Sequence, residues 1–594
     1  MKKRLLIILT SATLALSACS FFGTNTYKTY EKELSVYDLD HLDTSNDLSS
    51  GLDKTIKARF IEGEDLVPYL TLKQYASLYD SHFDAEVSNT VEHSFFSDVW
   101  TIYKGNQPYF MAQVSTTFEQ IALAGSIQAA LSEDDDPRDL TVLTWGLKND
   151  TDGKYIGDAS YTSLDFSPYS IKYFDYKDET YFPLGFLDNT FVGASAMYFE
   201  YNYKHIILTR DVENLASVKY IDEGKEYTFN SQMEEMVKDV SAPSYLMNYN
   251  ANIFLYVMDN FYGLKKEKGI NTFKYYLEKG NGKYNMYSAI RNTSDGETRG
   301  WGYSDALSSL DDNHTLLVTA NESWGESIAS MTRRLGDGCK QRAQTKSTLQ
   351  TLRKNVFGAS EAIEDVRYSN DGKTAYIAFD NFIYGEPDQV FNEDGSIKPT
   401  AGKYDSFFRL ISGFKTIKER GGVENVIIDI SLNGGGVLGI MLKLLALISS
   451  DNNSEISLYE DTSTQLAIYN PHVDINNDQL YNQEDCFGDD FNMYILTSDC
   501  SFSCGNAFPC AAQKVGSAKI IGQKSGGGEC VVGVHYMPNS EYVYHSSNTH
   551  IGSTNAEKTT FTGFENGATP DIPVEIGENF YSIEYLNTLI QTAH

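Results

Sequence analysis

Two serines stand close together in the stretch DCSFSCGNAFP (499–509), directly after the apolar run MYILT (493–497). A serine on a tight turn between a buried strand and a helix can act as a nucleophile, because the turn exposes its hydroxyl. The same position suits an ordinary N-cap that satisfies the first N–H groups of the helix. Ser501 and Ser503 are both candidates, and the choice between nucleophile and cap depends on partner groups elsewhere in the chain.

A glycine turn, NGGG (433–436), follows an apolar strand-like run and precedes a helical pattern. Such a turn can present backbone N–H groups that suit an anion or an oxyanion. The dinucleotide fingerprint GxGxxG and the P-loop GxxxxGK are both missing at this turn, so we predict no nucleotide cofactor there. The alternative is that these glycines only permit close packing between a strand and a helix.

Strands and helices alternate beyond about residue 365. The predicted strands are TAYIAFDNF (374–382), NVIID (425–429), MYILT (493–497) and SAKIIGQ (517–523), and the predicted helices are 404–422, 437–448 and 508–516. This alternation predicts an α/β layered domain with a partly parallel sheet. The run 437–448 is too short to span a bilayer and carries Lys443, so we interpret it as a core helix.

In this order the segments resemble the C-terminal processing (tail-specific) serine peptidase family over roughly residues 245–594. The resemblance is strongest in VIIDISLNGGG, in TSDCSFSCGNAFPCAAQKVGSAKIIGQKSGGG and in SSLDDNHT. It implies a crotonase-like (ClpP-like) α/β spiral core and serine peptidase activity. The family nucleophile opens an S-A-S-E-like tetrapeptide. The matching tetrapeptide here is SCGN (503–506), so the resemblance assigns the role to Ser503.

The general base of the Ser/Lys members of this family has no counterpart here. Their lysine lies in a T-F-G-K-G-like turn, which matches SGGG (525–528) and places Gly528 at the lysine position, whereas Lys524 matches a residue that is often non-catalytic. The chain therefore resembles the lysine-lacking Ser/His/Glu branch, similar to tricorn-type and chlamydial-secreted proteases. The L-x-D-x-H-T-like segment of that branch matches LSSLDDNHT and nominates His314 as base. The alternative is a surface histidine at a helix terminus that interacts with the helix dipole.

The acid of this branch precedes a G-x-x-P turn, which matches FENGATPDIPVEI (564–576) and nominates Glu565. A solvated carboxylate on a turn is the alternative, and Glu529 is a rival for the same role. The resemblance also implies an oxyanion hole formed by the backbone N–H groups of Gly434, Gly435 and Cys504. A thiol enzyme that uses Cys504 is a further alternative, but no histidine stands beside it in the sequence.

The N-terminus MKKRLLIILTSATLALSACS has a basic segment, an apolar segment and then Leu16-Ser17-Ala18-Cys19. This pattern is typical of an export signal. It resembles a bacterial lipobox, which implies a lipoprotein signal peptide over 1–18 and lipid attachment at Cys19. The alternatives are a plain signal peptide cleaved near Cys19 and a short membrane anchor. We expect a protein of the cell envelope, anchored by lipid on the extracytoplasmic side of a bacterial membrane.

The predicted domains follow from the change of pattern along 594 residues, a length that favours several cores. A tether over 19–30 precedes a Tyr- and Phe-rich, β-rich N-terminal domain over 31–235, to which we assign a binding or spacer role. A helical subdomain over 240–345 carries His314, and the peptidase core covers 346–594. The interval between His314 and the strand at 374 is too short for the PDZ domain that many relatives carry.

The charge balance, 48 basic against 81 acidic residues, disfavours nucleic acid as a partner. We expect a peptide or protein substrate, a membrane contact through the lipid on Cys19, and no cofactor or metal. Six cysteines remain without Cys19, five of them within 486–530, and an extracytoplasmic setting favours at least one disulfide among them.

Two functions are consistent with these residues. One is an exported serine endopeptidase with a Ser503/His314/Glu565 triad. The other is a catalytically inactive binding lipoprotein that keeps the peptidase fold; the missing lysine favours it, and the joint presence of the three residues opposes it.

Overall fold

The computed structural model describes residues 27–593 except for a set of internal segments. These segments are 41, 43–44, 84, 95–96, 128–129, 131–144, 156–160, 211–214, 216–217, 239, 281–283, 294, 320–335, 453, 462–463 and 540. The predicted signal peptide and Cys19 lie outside the described residues. No helix in the described part of the chain has both the length and the apolar character needed to cross a membrane.

Most described residues lie in strands and helices. The strands before residue 230 are β1 (Thr29–Asp38), β2 (Leu52–Ile61), β3 (Tyr69–Thr71), β4 (Val87–Ser94), β5 (Ser97–Lys104), β6 (Gln107–Ser115), β7 (Gln120–Gly125), β8 (Leu147–Tyr155), β9 (Thr162–Asp165), β10 (Phe174–Tyr176), β11 (Glu179–Pro183), β12 (Tyr198–Tyr201), β13 (Ile206–Thr209), β14 (Lys219–Asp222) and β15 (Lys225–Thr228). The later strands are β16 (Leu316–Thr319), β17 (Arg367–Tyr368), β18 (Thr374–Ala378), β19 (Asn425–Asp429), β20 (Ile456–Glu460), β21 (Gln465–Val473), β22 (Asn492–Thr497), β23 (Lys519–Gly522), β24 (Cys530–Tyr536), β25 (Tyr542–Thr554), β26 (Phe561–Gly563) and β27 (Ile572–Pro573).

The α-helices are, in chain order, α1 (Leu72–Ser77), α2 (Leu184–Ser195), α3 (Phe229–Val237), α4 (Ser244–Phe261), α5 (Phe273–Lys279), α6 (Met286–Asn292), α7 (Gly296–Ser308), α8 (Asp337–Phe357), α9 (Pro387–Val390), α10 (Ser406–Arg420), α11 (Leu438–Leu447), α12 (Cys504–Val515) and α13 (Ile583–Thr592). The mixed α/β architecture and the β-rich N-terminal region confirm the predicted fold class.

The chain divides into two compact units, neither of which is continuous in sequence. Unit 1 comprises residues 1–137, 159–336 and 532–547, and unit 2 comprises 138–158, 337–531 and 548–594. The predicted N-terminal domain lies in unit 1 except for residues 138–158. The predicted helical subdomain also lies largely in unit 1, and the predicted peptidase core lies in unit 2 apart from 532–547. Pairing between strands distant in sequence explains this division, because β8 runs antiparallel to β21 along its whole length within unit 2.

Unit 1 contains a seven-stranded sheet in the order β10-β11-β3-β2-β1-β13-β12 and a five-stranded sheet in the order β4-β5-β6-β7-β9. Aromatic residues fill its core, which accounts for the many Tyr and Phe residues in this part of the sequence. The indole of Trp100 packs edge-on against Tyr75 and Phe191, with ring centroids 6.1 Å and 5.1 Å away. Such edge-to-face pairs add stability beyond the apolar area that they bury.

The central sheet of unit 2 has the order β17-β18-β19-β22-β23-β27, and its neighbours are parallel except for β17. All five residues of β19 are buried, as expected for a strand covered on both faces. Register places Ile377, Ile428 and Ile495 side by side on one face.

Helices cover both faces of this sheet. The face that carries Ile377, Ile428 and Ile495 packs against α10, α11 and α12. The opposite face packs against α8 and α13, through residues such as Leu349 and Leu586. The run 437–448 is thus a buried core helix, as predicted. The result is a three-layer α/β/α arrangement in which the carboxyl ends of the parallel strands lie at one edge.

Two local predictions differ from the structure. Helix α12 begins at Cys504, earlier than the predicted start at Phe508, and it includes Pro509. No disulfide joins any two of the six described cysteines, so the expectation of a disulfide among them is wrong. Their sulfurs have separate partners: the thiol of Cys504 donates to the carbonyl of Gly436, and that of Cys500 donates to the carbonyl of Arg342.

Candidate active site

Ser503 lies at the junction between the segment that follows β22 and the first residue of α12. Its backbone has φ 57° and ψ −125°, a conformation that non-glycine residues rarely adopt. Although Ser503 is the N-cap residue, its side chain makes no capping hydrogen bond. The strained turn is held by the Ser503 N–H, which donates to the carbonyl of Gly527 at 3.0 Å. The hydroxyl is therefore not used as a helix cap, and this observation favours the nucleophile.

Ser501 has a structural role. It is fully buried, its hydroxyl donates to the carbonyl of Ile430 at 2.8 Å, and the same oxygen accepts from the N–H of Ser498 at 3.1 Å. A hydroxyl whose donor and acceptor capacity are both in use is a poor nucleophile candidate. The structure thus distinguishes the two serines of the DCSFSCGNAFP stretch.

The glycine turn 433–436 lies directly against Ser503, as the order of motifs predicts. The N–H of Phe502 donates to the carbonyl of Asn433 at 3.0 Å. A Cβ placed on Gly435, whose φ is +110°, would stand 2.6 Å from the Cβ of Ser503 and 3.0 Å from its Oγ. The close approach of the backbone explains why a residue without a side chain occupies this position.

The three predicted oxyanion donors are not equivalent. Gly435 already donates its N–H to Oδ1 of Asn433 at 2.9 Å, so it shapes the turn. The N–H groups of Gly434 and Cys504 make no hydrogen bond within the part of the chain that the structure describes. Cys504 is the first residue of α12, where the N–H has no intrahelical acceptor. These two groups retain their capacity to bind an oxyanion.

The second glycine turn, 525–528, explains why a lysine base is missing. Gly528 has φ +83°, and a Cβ on it would stand 2.5 Å from the ring of Phe502. A lysine at this position would combine an unfavourable backbone conformation with a steric clash. Lys524 is exposed.

Glu565 is anchored by this second turn. Its Oε2 accepts from the N–H groups of Gly528 and Glu529, both at 3.0 Å. The residue is exposed, yet two backbone donors on one oxygen hold its carboxylate in a defined orientation. A solvated carboxylate on a turn would not need these two hydrogen bonds, so they favour an orienting role for Glu565.

The rival, Glu529, has structural bonds on both carboxylate oxygens. Oε1 lies 2.7 Å from Nδ1 of His550, and Oε2 accepts from the N–H of Glu565 at 2.7 Å. Glu529 is buried, and so is His550. The pair supports the loop that carries Glu565, a relation that the sequence analysis did not anticipate.

His314 belongs to unit 1, whereas Ser503 and Glu565 belong to unit 2. It lies beyond the end of α7 at Ser308, and it is buried, with 7% of its surface exposed. The backbone N–H of His314 donates to Oδ1 of Asp312 at 3.1 Å, and Oδ2 of Asp312 accepts from the hydroxyl of Thr315 at 2.6 Å. Both the burial and the distance from the helix end contradict the alternative of a surface histidine at a helix terminus.

Cys504 is unsuited to act as a nucleophile. Its thiol is buried and donates to the carbonyl of Gly436 at 3.2 Å. Burial raises the pKa of Cys504 to about 12. Because the thiolate is the reactive form of cysteine, this thiol is inert near neutral pH.

Two residues that hold the segments around Ser503 in place were not identified from the sequence. The guanidinium of Arg342, on α8, donates to the carbonyls of Asp499 at 2.9 Å and Gly526 at 3.0 Å. Oδ1 of Asn506 accepts from the hydroxyl of Ser525 at 2.7 Å, which ties α12 to the second glycine turn. Asn506 is the last residue of the tetrapeptide SCGN, so its position in the motif was a usable signal. Arg342 had no such signal, because it lies outside every motif that the sequence analysis identified.

Residues 373–574 match the sequence profile of Peptidase family S41. This range includes Ser503, Glu565 and both glycine turns, and His314 precedes it. No curated protein matches the chain.

Among solved structures, a candidate peptidase from Parabacteroides merdae is 16% identical, with a TM-score of 0.40 over 58% of this chain and 96% of its own. A lipoprotein from Streptococcus agalactiae is 10% identical, with a TM-score of 0.34 over 58% of this chain and 96% of its own. Mature CPAF in complex with lactacystin is 10% identical, with a TM-score of 0.35 over 59% of this chain and 98% of its own. The sequence profile places a Peptidase family S41 domain, and with it a serine-type peptidase, at residues 373–574 of this chain.

Proposed function

We propose that the chain is an endopeptidase with Ser503 as nucleophile, His314 as general base and Glu565 as the acid that orients the histidine. One observation carries the proposal: Ser503 is held in a strained turn, its hydroxyl does not cap the helix, and the 433–436 turn lies against it. Strain of this kind persists only where the surrounding structure imposes it, and it concentrates at functional sites.

The reaction follows the chemistry of acyl transfer. Oγ of Ser503 attacks the carbonyl carbon of the scissile bond while His314 accepts its proton, and the N–H groups of Gly434 and Cys504 stabilise the oxyanion. Gly435 is left out as a donor because its N–H is bonded to Asn433. The intermediate collapses as His314 gives the proton to the leaving amine. Water then attacks the acyl-enzyme by the reverse sequence and releases the carboxylate product.

The support for the two partner residues differs in kind. For Glu565 it is geometric, because two backbone N–H groups fix one of its oxygens. For His314 it comes from the LSSLDDNHT segment and from its buried position on a turn that Asp312 organises. In this role Glu565 would fix the tautomer of His314 and stabilise its cation.

A fluorophosphonate probe and casein digestion test the proposal together. We expect the wild-type chain to be labelled and to digest casein, and we expect Ser503→Ala and His314→Ala to lose both activities. Ser501→Ala is the matched control: it should lower the melting temperature, because a buried hydrogen bond is lost, but keep the labelling. Folded wild-type chain that neither reacts with the probe nor cleaves casein would instead support the inactive binding lipoprotein.

We also propose that the protein is exported and anchored by lipid on Cys19, in the cell envelope on the extracytoplasmic side of a bacterial membrane. The support is the order of basic segment, apolar segment and Leu16-Ser17-Ala18-Cys19. Metabolic labelling with an alkyne fatty acid should mark the wild-type chain in the membrane fraction, and Cys19→Ala should abolish the mark. Cys339→Ala is the control and should leave it unchanged; lipid incorporation that persists in Cys19→Ala would refute the proposal.

A further inference from the structure

A cavity of about 400 Å³ lies in unit 2 beside the proposed oxyanion site. Gly434 and Leu432 form part of its wall, and Phe379 and the first turns of α10 form another part. Because Gly434 carries one of the two available N–H groups, an occupant of this cavity would lie next to the carbonyl under attack. Its volume is in the range of ordinary ligand pockets.

Two of the three acidic groups in the cavity wall, Asp380 and Asp405, are already in use. Asp380 accepts two hydrogen bonds from Nη1 of Arg353, at 2.8 Å and 2.9 Å, and a third from the N–H of Ala362 at 2.9 Å. Asp405 is the N-cap of α10, where its carboxylate accepts from the N–H groups of Phe407 and Phe408. Neither carboxylate is suited to recognise a cationic substrate group.

Of the three basic groups in the wall, Lys403 pairs with Glu364 at 3.8 Å, and the other two are less engaged. The guanidinium of Arg409 donates from Nη2 to the carbonyl of Ile363, whereas its Nη1 is accessible and makes no hydrogen bond among the described residues. Such a donor on a charged group can form a charge-assisted hydrogen bond with an acceptor that a ligand supplies. Lys346, at the rim, is exposed and forms no ion pair among the described residues. Glu361, which is also exposed, is the opposing charge in the wall.

We infer that this cavity is a substrate subsite that binds a carboxylate, with Arg409 as the main contact and Lys346 as a contact at the rim. The inference rests on the proposed function and adds a substrate class: peptides with an acidic side chain near the scissile bond, or with a free C-terminal carboxylate there. Arginine is suited to this task because its planar guanidinium stays charged and matches a carboxylate.

The test begins with cleavage sites in denatured casein, identified by mass spectrometry. Quenched fluorescent peptides built on one site would then carry Glu or Gln at each position around the bond, and a free or amidated C-terminus. We expect wild type to prefer one carboxylate by about tenfold or more in kcat/KM, since a charge-assisted hydrogen bond of this kind contributes that much. Arg409→Gln should reduce the preference to below about threefold, and Arg409→Lys should restore part of it.

Controls separate this inference from the proposed function. Lys415→Gln removes an exposed cation on the same helix outside the cavity wall and should keep the full preference. Fluorophosphonate labelling of Ser503 should persist in Arg409→Gln; if that variant fails to fold, Lys346→Gln replaces it and should lower the preference by a smaller factor.

Each outcome decides a different point. A preference for an internal Glu identifies a side-chain subsite, and a preference for the free C-terminus identifies a terminal carboxylate. Equal cleavage of all peptides overturns the inference and leaves the endopeptidase intact. If wild type is not labelled and cleaves nothing, the proposed function fails. Calorimetry of Ser503→Ala with Glu and Gln peptides made on a casein sequence then tests the subsite by itself. Equal affinity for the Glu and Gln peptides overturns the subsite.

Discussion

The two glycine turns of unit 2, 433–436 and 525–528, have similar sequences, but their backbone N–H groups have different roles. They follow β19 and β23, the two strands that flank β22, from which the Ser503 segment continues. The first turn leaves the N–H of Gly434 without an acceptor among the residues that the structure describes. The second uses the N–H of Gly528, together with that of Glu529, to bind the carboxylate of Glu565.

This difference shows that glycine content alone does not define a site. Each turn places a residue where a side chain would clash: Gly435 faces Ser503, and Gly528 faces the ring of Phe502. What separates them is the acceptor that lies opposite. Where a carboxylate lies opposite, the turn orients an acid; where none does, the donor is available to a substrate oxygen.

The largest expected effect comes from the carboxylate that the second turn holds. Glu565→Gln should lower kcat/KM on a casein peptide by about 10³- to 10⁴-fold, because the imidazolium would lose its counter-charge and its tautomer control. Glu529→Gln is the matched variant and should lower kcat/KM by about tenfold or less while reducing the melting temperature. If Glu529→Gln has the greater kinetic effect, the assignment of the two acids must be exchanged.

The first turn can be probed by adding one methyl group at either of two neighbouring positions. Gly435→Ala should reduce the rate of fluorophosphonate labelling by about 10²-fold or more, since its Cβ would displace Ser503 and a positive φ disfavours alanine. Gly434→Ala should cost less than about threefold, because its Cβ meets nothing within 4 Å and its N–H is retained. Equal losses would show that the close approach to Ser503 is unimportant.

Replacing Gly528 with lysine tests whether the second turn can hold the lysine of a Ser/Lys site. We expect Gly528→Lys to lower the free energy of unfolding by about 1–3 kcal/mol or more and to give no lysine-dependent activity in a His314→Ala background. Gly516→Ala is the control, because it has a similar φ of +80° and open space around its Cβ. Denaturant unfolding of both variants separates backbone strain from the clash with Phe502. Activity in the double variant would show that the turn tolerates a base.

The smallest effect is expected at Cys504, which ties α12 to the first turn through its bond to Gly436. Burial raises the pKa of this thiol to about 12, so it is almost fully protonated between pH 7 and about 9, and iodoacetamide should not inhibit the enzyme through it in that range. Cys504→Ala should change kcat/KM by about threefold or less, because the backbone N–H remains. Time-dependent inhibition by iodoacetamide that persists in Ser503→Ala would revive the thiol mechanism.

Much of the fold and of the candidate site could be predicted from local patterns. Buried runs such as 425–429 and 493–497 became central parallel strands, because a continuous apolar run suits a strand covered on both faces. The start of α12 was predicted too late, and this boundary matters because it makes Ser503 the N-cap residue. Composition and setting suggested a disulfide, yet no two described cysteines are joined by one.

The sequence by itself determined the order of strands and helices, the absence of a lysine at position 528 and the preference for Ser503, since these depend on residue types at short spacing. Only the tertiary structure decided which N–H groups stay available, which of Glu529 and Glu565 has structural bonds on both oxygens, and which charges in the cavity are already paired. Each of these depends on a hydrogen bond between residues far apart in sequence, such as Gly528 with Glu565 or Arg353 with Asp380. Whether a donor or a charge is satisfied is a property of its neighbours in space, and the fold alone brings those neighbours together.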